Sequence, residues 1–194
     1  KQNIEENFDS IIKVRVILAG DAMMHEPQVT AGYIKDSNIY DFRHYFNYIK
    51  PILSTSDLNI VNFDTTLAGP PYSGYPQFCS PDAYAIALKD AGFNFFVNAN
   101  NHSVDKGLKG INRTIDIFNN HQIKFTGTFK NKEERDSLYP SIIDIKGIKI
   151  AILNYTYGTN GLKVPLPAIV NLIDTSIIAE DLRKEIAKFP EIVS

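Results

Sequence analysis

Tryptophan is missing from the 194 residues, and cysteine occurs once, as Cys79. A lone thiol can close no internal disulfide and cannot furnish a thiolate metal cluster, so cysteine usage leaves the compartment open. No apolar stretch approaches the roughly 20 residues that a membrane helix needs. Lysine and arginine form no block, and the formal net charge is −2. That balance gives no electrostatic basis for binding nucleic acid or an anionic membrane surface. The opening segment, KQNIEENFDS, lacks the positive n-region and apolar h-region of a signal peptide, and no methionine starts the chain. It reads as a processed chain, which leaves room for a signal or membrane anchor outside it. What remains, 44% hydrophobic and 22% charged, is the composition of an ordinary globular domain.

The apolar pattern alternates between two periods. VRVILA (14–19) is a β-branched run ending at Gly20, and LNIVNF (58–63) and FNFFVNA (93–99) are similar, as expected of buried strands. Phe42, Tyr45, Phe46, Ile49 and Ile52 recur every three or four positions and predict a helix across 40–53, with Pro51 disturbing its last turn. SPDAYAIALKDAG predicts a second helix, with Ser80 as cap, Pro81 at the first helical position, Asp82 at the positive dipole end and Gly92 as terminator. Leu108, Ile111, Ile115 and Phe118 predict a third helix. IKFTGT (123–128) predicts a strand, and SIIDIKGIKIAILNY predicts two strands turning at Lys146-Gly147. Ile178, Leu182, Ile186 and Phe189 predict a closing amphipathic helix. Such alternation points to an α/β fold, a layered sandwich of largely parallel sheet with flanking helices.

In sheets of this kind ligands bind beyond the carboxyl ends of the strands. Gly20-Asp21 follows the first strand, with His25 four residues on; Asn62-Phe63-Asp64 ends the second; Asn98-Ala99-Asn100-Asn101-His102 ends the third; Asn154-Tyr155-Thr156 ends the fifth. Aspartate and asparagine oxygens with an imidazole suit a divalent hydrolytic metal such as manganese, zinc or iron. Such a metal activates water and polarises a substrate oxygen, and a neighbouring histidine can protonate a leaving group. Two proline- and glycine-rich loops, 68–77 and 155–167, are expected to wall the site, with Tyr155, Tyr157 and Asn160 as candidate lining residues. Each assignment has a plainer alternative. Asp21 and Asp64 can be turn or cap residues, Asn101-His102 a hydrogen-bonded loop anchor, and Asp105 the cap of the helix starting near Gly107. His25 is then a loop histidine, His44 and Cys79 packing residues, and His121 a favourable charge at a helix C-terminus.

Five segments in this order, GDAMMH, NFDTTLAG, ALKDAGFNFFVNANNHSVDKGLKGINRTIDIF, IKFTGT and ILNYTYGTNG, resemble the CapA-like family of bacterial poly-γ-glutamate capsule biosynthesis proteins. That family belongs to the calcineurin-like metallophosphoesterase superfamily. The resemblance implies a domain over 14–194, with 1–13 as an N-terminal extension. It implies that Asp21 and Asp64 are metal-ligating acids, the second usually glutamate in the family, and that Asn101 is the metal-binding asparagine. His102 would protonate or stabilise the leaving group, and Asp105 would fix the loop or orient His102. Met23 stands where the superfamily has a histidine. The family continues beyond the closing helix with a histidine-glycine strand end and a histidine-rich loop, so this chain would hold about half of a metal site. The implied activity is metal-dependent hydrolysis of a phosphoester or amide in a cell-surface polymer, outside the cytoplasm. The alternative is a non-catalytic polymer-binding or assembly protein on a decayed scaffold. A sheet lacking its later strands is also expected to expose an apolar edge and to self-associate or pair with the missing part.

Overall fold

The computed structural model describes residues 11–188. β1 (Val16–Ala22) leads through α1 (Glu26–Ala31), a small hairpin of β2 (Tyr33–Ile34) and β3 (Ile39–Tyr40), a 3-10 turn (Arg43–Phe46) and α2 (Lys50–Leu53) into β4 (Leu58–Phe63). There follow α3 (Asp82–Ala91), β5 (Phe95–Val97), α4 (Gly107–Asn120), β6 (Phe125–Thr126), β7 (Thr128–Phe129) and α5 (Lys132–Leu138). A hairpin of β8 (Ser141–Ile145) and β9 (Ile148–Ile152) comes next, then β10 (Ile169–Val170) and α6 (Thr175–Lys188). The central sheet is parallel, in the order β1-β4-β5-β6.

Both faces of the middle strands, β4 and β5, are covered, which explains why they are continuous apolar runs. On one face Val61, Phe63 and Phe96 pack with Ala85, Leu88 and Ala91 of α3 and Phe118 of α4. Phe63, Phe96 and Phe118 sit with ring centroids 5.2–5.6 Å apart. Each buried ring contributes roughly 1.5–3 kcal/mol by removal from water. On the other face Leu58 and Phe95 meet Ile143 and Ile152 of the β8–β9 hairpin. That hairpin turns at Lys146 and Gly147, with φ of 56° and 82°, as a two-residue turn between right-twisted strands requires.

Several expectations are corrected. The helix expected across 40–53 is broken into the 3-10 turn and α2. Pro51 has no N–H to continue a helical ladder, and only Phe42 and Phe46 of the expected stripe pack into the core, against Tyr84, while Tyr45, Ile49 and Ile52 are exposed. In α3, Ser80 does not cap. Its hydroxyl meets Thr65 at 3.0 Å, and Pro81 takes the N-cap position. Gly92 does terminate α3, at φ 119°. The strand expected over 123–128 is split at Gly127, φ 120°, into β6 in the central sheet and β7 paired with β10. β9 is not a fifth strand of the central sheet; among the described residues it pairs only with β8. β1 is not buried but forms an edge, with Leu18 72% exposed. α6 does not bury its apolar stripe either: Leu182 and Ile186 are exposed while Asp181 is buried. Phe189, expected on that stripe, lies outside the described residues.

Candidate functional site

Parallel pairing sets Asp21 of β1 opposite Asn62 of β4, and Ala22 opposite Phe63, with an irregularity between Ala19 and Asp21 that re-aims the strand end. The Asp64 N–H donates to the Ala22 carbonyl at 3.1 Å. Both acids therefore stand at one carboxyl edge. A relay of carboxamides joins them to the loop after β5. Asn62 Nδ2 donates to Asp21 Oδ1 at 2.7 Å, and Asn100 Nδ2 donates to Asn62 Oδ1 at 3.1 Å and to the Phe63 carbonyl at 2.9 Å.

Asp64 is 3% exposed, and its Oδ1 has no hydrogen-bond partner among the described residues. Burial pushes its pKa up to about 6, since a desolvated carboxylate is disfavoured. His102 pulls the other way, while Asp21 and Asp105 add to the rise. These four side chains thus lie within electrostatic reach of one another.

His102 Nδ1 lies 2.8 Å from Asp105 Oδ2. An ionised carboxylate only accepts, so Nδ1 carries the hydrogen there and Nε2 is the ring's free functional atom. Asp105 also accepts from the Phe78 N–H at 2.6 Å. It therefore both orients the imidazole and ties down the 68–80 loop; it does not cap α4, whose N-cap is Lys106. Burial raises the Asp105 pKa, opposed by the Phe78 and His102 hydrogen bonds. The Phe78 ring meets His102 edge-on at 4.7 Å and His25 at 5.1 Å. Among the described residues no hydrogen bond or ion pair joins His25 to either acid, and His25 instead takes the N-cap of α1.

Asn101 and His102 open onto a cleft of about 510 Å³, lined also by Tyr75, Gln77, Asn160 and Leu162. Both expected loops supply walls. Asn160 Oδ1 accepts from Asn101 Nδ2 at 3.3 Å. Tyr155 does not line this cleft; its hydroxyl turns to Asp181, at 2.8 Å. A cleft of about 590 Å³ opens at the opposite end of the sheet, beside Asp57, Asn94 and Lys146, and contains none of these side chains.

The other asparagines serve the backbone. Asn154 Oδ1 accepts from the Ala99 N–H at 2.6 Å, and its Nδ2 donates to the Ala99 carbonyl at 3.2 Å. Asn98 Nδ2 donates to Thr128 Oγ1 at 2.7 Å, and its Oδ1 accepts from the Thr128 N–H at 3.2 Å. Carboxamides carry donor and acceptor together, so each can imitate a neighbouring strand. The density of asparagine after β5 is thus largely structural, which residue type alone does not distinguish from ligation. Among the described residues no three His, Cys, Asp or Glu side chains are grouped to hold a metal. A cation here would need further donors from carboxamides, water or substrate.

The double role of Asp105 is testable. Asp105→Ala leaves the buried Phe78 N–H without an acceptor and is expected to cost about 2–4 kcal/mol in urea unfolding. Asp105→Asn keeps an acceptor for Phe78, so its stability loss should be about 1 kcal/mol. Nitrogen NMR of His102 should nevertheless report the changed tautomer.

The profile described as "Bacterial capsule synthesis protein PGA_cap" matches residues 15–182. The chain belongs to this family. Its α/β fold, a central parallel sheet with flanking helices, is that of the family domain. A curated relative, "Capsule biosynthesis protein CapA" of Bacillus anthracis, is 28% identical over 153 residues, covering 74% of this chain and 35% of its own length. The chain thus spans about a third of that relative. No helix among the described residues is long and apolar enough to cross a membrane.

Proposed function

We propose that this member of the capsule synthesis family is a metal-dependent hydrolase, or a hydrolase-like factor, of the cell envelope. It acts on a phosphoester or amide of a surface polymer such as poly-γ-glutamate. The observation that carries this reading is Asp64, a buried carboxylate with an unpartnered oxygen beside Asp21 and Asp105. Burying negative charge without a partner is unfavourable, and a divalent cation would relieve it. Asp21, Asp64 and Asn101 would hold the metal, whether manganese, zinc or iron. When bound it supplies Lewis acidity toward a substrate oxygen. His102, held by Asp105 through Nδ1–H, would take up a second proton at Nε2 from water and, as the imidazolium, pass it to the leaving group, returning to the neutral ring. Tyr75, Gln77 and Asn160 flank the substrate in the cleft.

The test is a calorimetric titration of the chain with Mn²⁺, followed by assay on a nitrophenyl phosphate and a γ-glutamyl anilide. Expected are one bound Mn²⁺, affinity weakened on the order of tenfold or more in Asp21→Asn and Asp64→Asn, and hydrolysis lowered about 10²–10⁴-fold in His102→Asn. Absence of Mn²⁺ binding overturns the metal assignment and favours a second reading, a polymer-binding or assembly protein. Two observations support that alternative: Met23 at the position of the superfamily histidine, and, among the described residues, no group of three or more His, Cys, Asp or Glu side chains placed to hold a metal.

A further inference from the structure

α6 is held to the domain in an unusual way. Its apolar residues Ile177, Leu182 and Ile186 are 45–48% exposed, while Asp181 on the same helix is 2% exposed. Asp181 accepts from Arg135 of α5 at 2.6 Å and from the Tyr155 hydroxyl at 2.8 Å. Arg135 is itself well covered and stacks on the Tyr139 ring, 4.8 Å from its centroid.

The guanidinium has a second task. Its Nε donates to Asn171 Oδ1 at 2.7 Å, and Asn171 Nδ2 donates to the Asn154 carbonyl at 3.2 Å. The Tyr139 hydroxyl accepts from the Asn154 N–H at 3.0 Å. The Asn154 backbone is therefore gripped from both sides, and its carboxamide clamps both polar groups of Ala99, two residues before Asn101. Every link is a buried or half-buried hydrogen bond, and such networks act as a unit because a lone unpartnered member is expensive.

We propose that Arg135 and Asp181 are positioning residues for the Asn101-His102 loop, acting through Asn171 and Asn154. α6 then serves as a strut whose docking decides how firmly the cleft's polar groups are held. The importance of that loop rests on the function proposed above, whereas the coupling itself does not. Because the fully buried side chain of α6 among its described residues is Asp181, its docking is sensitive to changes in that one cluster.

Arg135→Lys separates coupling from simple tethering. Lysine can still pair with Asp181, but a single ammonium does not reproduce the fork that reaches Asp181 and Asn171 together. Amide hydrogen exchange read by NMR is the measurement. The Ala99 amide is expected to exchange about 10–100-fold faster in Arg135→Lys, while Val61 and Phe96 in the sheet keep wild-type rates. Asp181→Asn should speed both Ala99 and the amides of α6. Unchanged Ala99 exchange in either variant overturns the proposal, as does acceleration spread equally over β4 and β5. A Mn²⁺ titration alongside keeps the two readings apart: a chain that binds no Mn²⁺ refutes the metal assignment and leaves the exchange result standing.

Discussion

Gly127→Ala is expected to remove about 3–5 kcal/mol of stability, a large part of the roughly 5–15 kcal/mol margin of a typical domain. A Cβ at this position would lie 2.2 Å from Asn154 Oδ1, 2.4 Å from the Ala99 nitrogen and 2.9 Å from the Ala99 Cβ. None of these can yield cheaply, since the first two are the partners of the clamp on Ala99. The backbone at φ 120° also suits only glycine. Two penalties, steric and conformational, therefore fall on one residue. Urea unfolding with a fitted slope measures the effect. A loss below about 1 kcal/mol would mean that the loop can shift without harm and that the clamp is not rigid.

Asp64→Asn is expected to do the opposite above neutral pH. The folded carboxyl titrates near 6, against an ordinary value of 3.8. A raised carboxyl pKa means that the unfolded chain ionises first. The contribution of Asp64 to stability is then most favourable below about pH 4, declines between about 4 and 6, and is less favourable by about 3 kcal/mol on the alkaline side. Asp105, also raised by burial, pushes in the same direction. The asparagine variant loses the Asp64 part of this slope, so in metal-free buffer at about pH 7.5 it should exceed the wild type by about 1–3 kcal/mol. The two should match near about pH 4. Millimolar Mn²⁺ should stabilise the wild type more than the variant, by about 1.4 kcal/mol for each tenfold difference in affinity. A wild type whose stability is flat from about pH 4 to about 7 would remove the basis for treating Asp64 as a poised, unpartnered charge.

The sheet was legible from composition because β4 and β5 are covered on both faces and so read as unbroken apolar runs. Gly92 and the Lys146-Gly147 turn were legible because each needs a backbone angle that few residues adopt. Elsewhere tertiary context prevailed. Periodicity around Tyr45 and Ile52 promises one continuous helix, but only Phe42 and Phe46 of that set are covered by the core, and the split at Gly127 comes from a close approach of Asn154 across the fold. The site was partly visible: the acids and the Asn101-His102 pair stand just beyond the carboxyl ends of apolar runs, where a parallel sheet gathers its ligands. The division of labour among the asparagines could not be found that way, because whether a carboxamide meets a backbone or a ligand depends on neighbours far along the chain. Arg135 and Asp181 carried no local signal at all; only their burial distinguishes them from other surface charges.

Fastening the Ala99–His102 segment with carboxamides has a bearing on how the cleft responds to its surroundings. Amide groups neither gain nor lose protons at ordinary pH and gather no counterions. The cradle formed by Asn98, Asn100 and Asn154 therefore has no titrating group of its own, and acidity reaches it through the Arg135–Asp181 pair. Asp64 and Asp105 can then change charge beside a frame whose own groups do not.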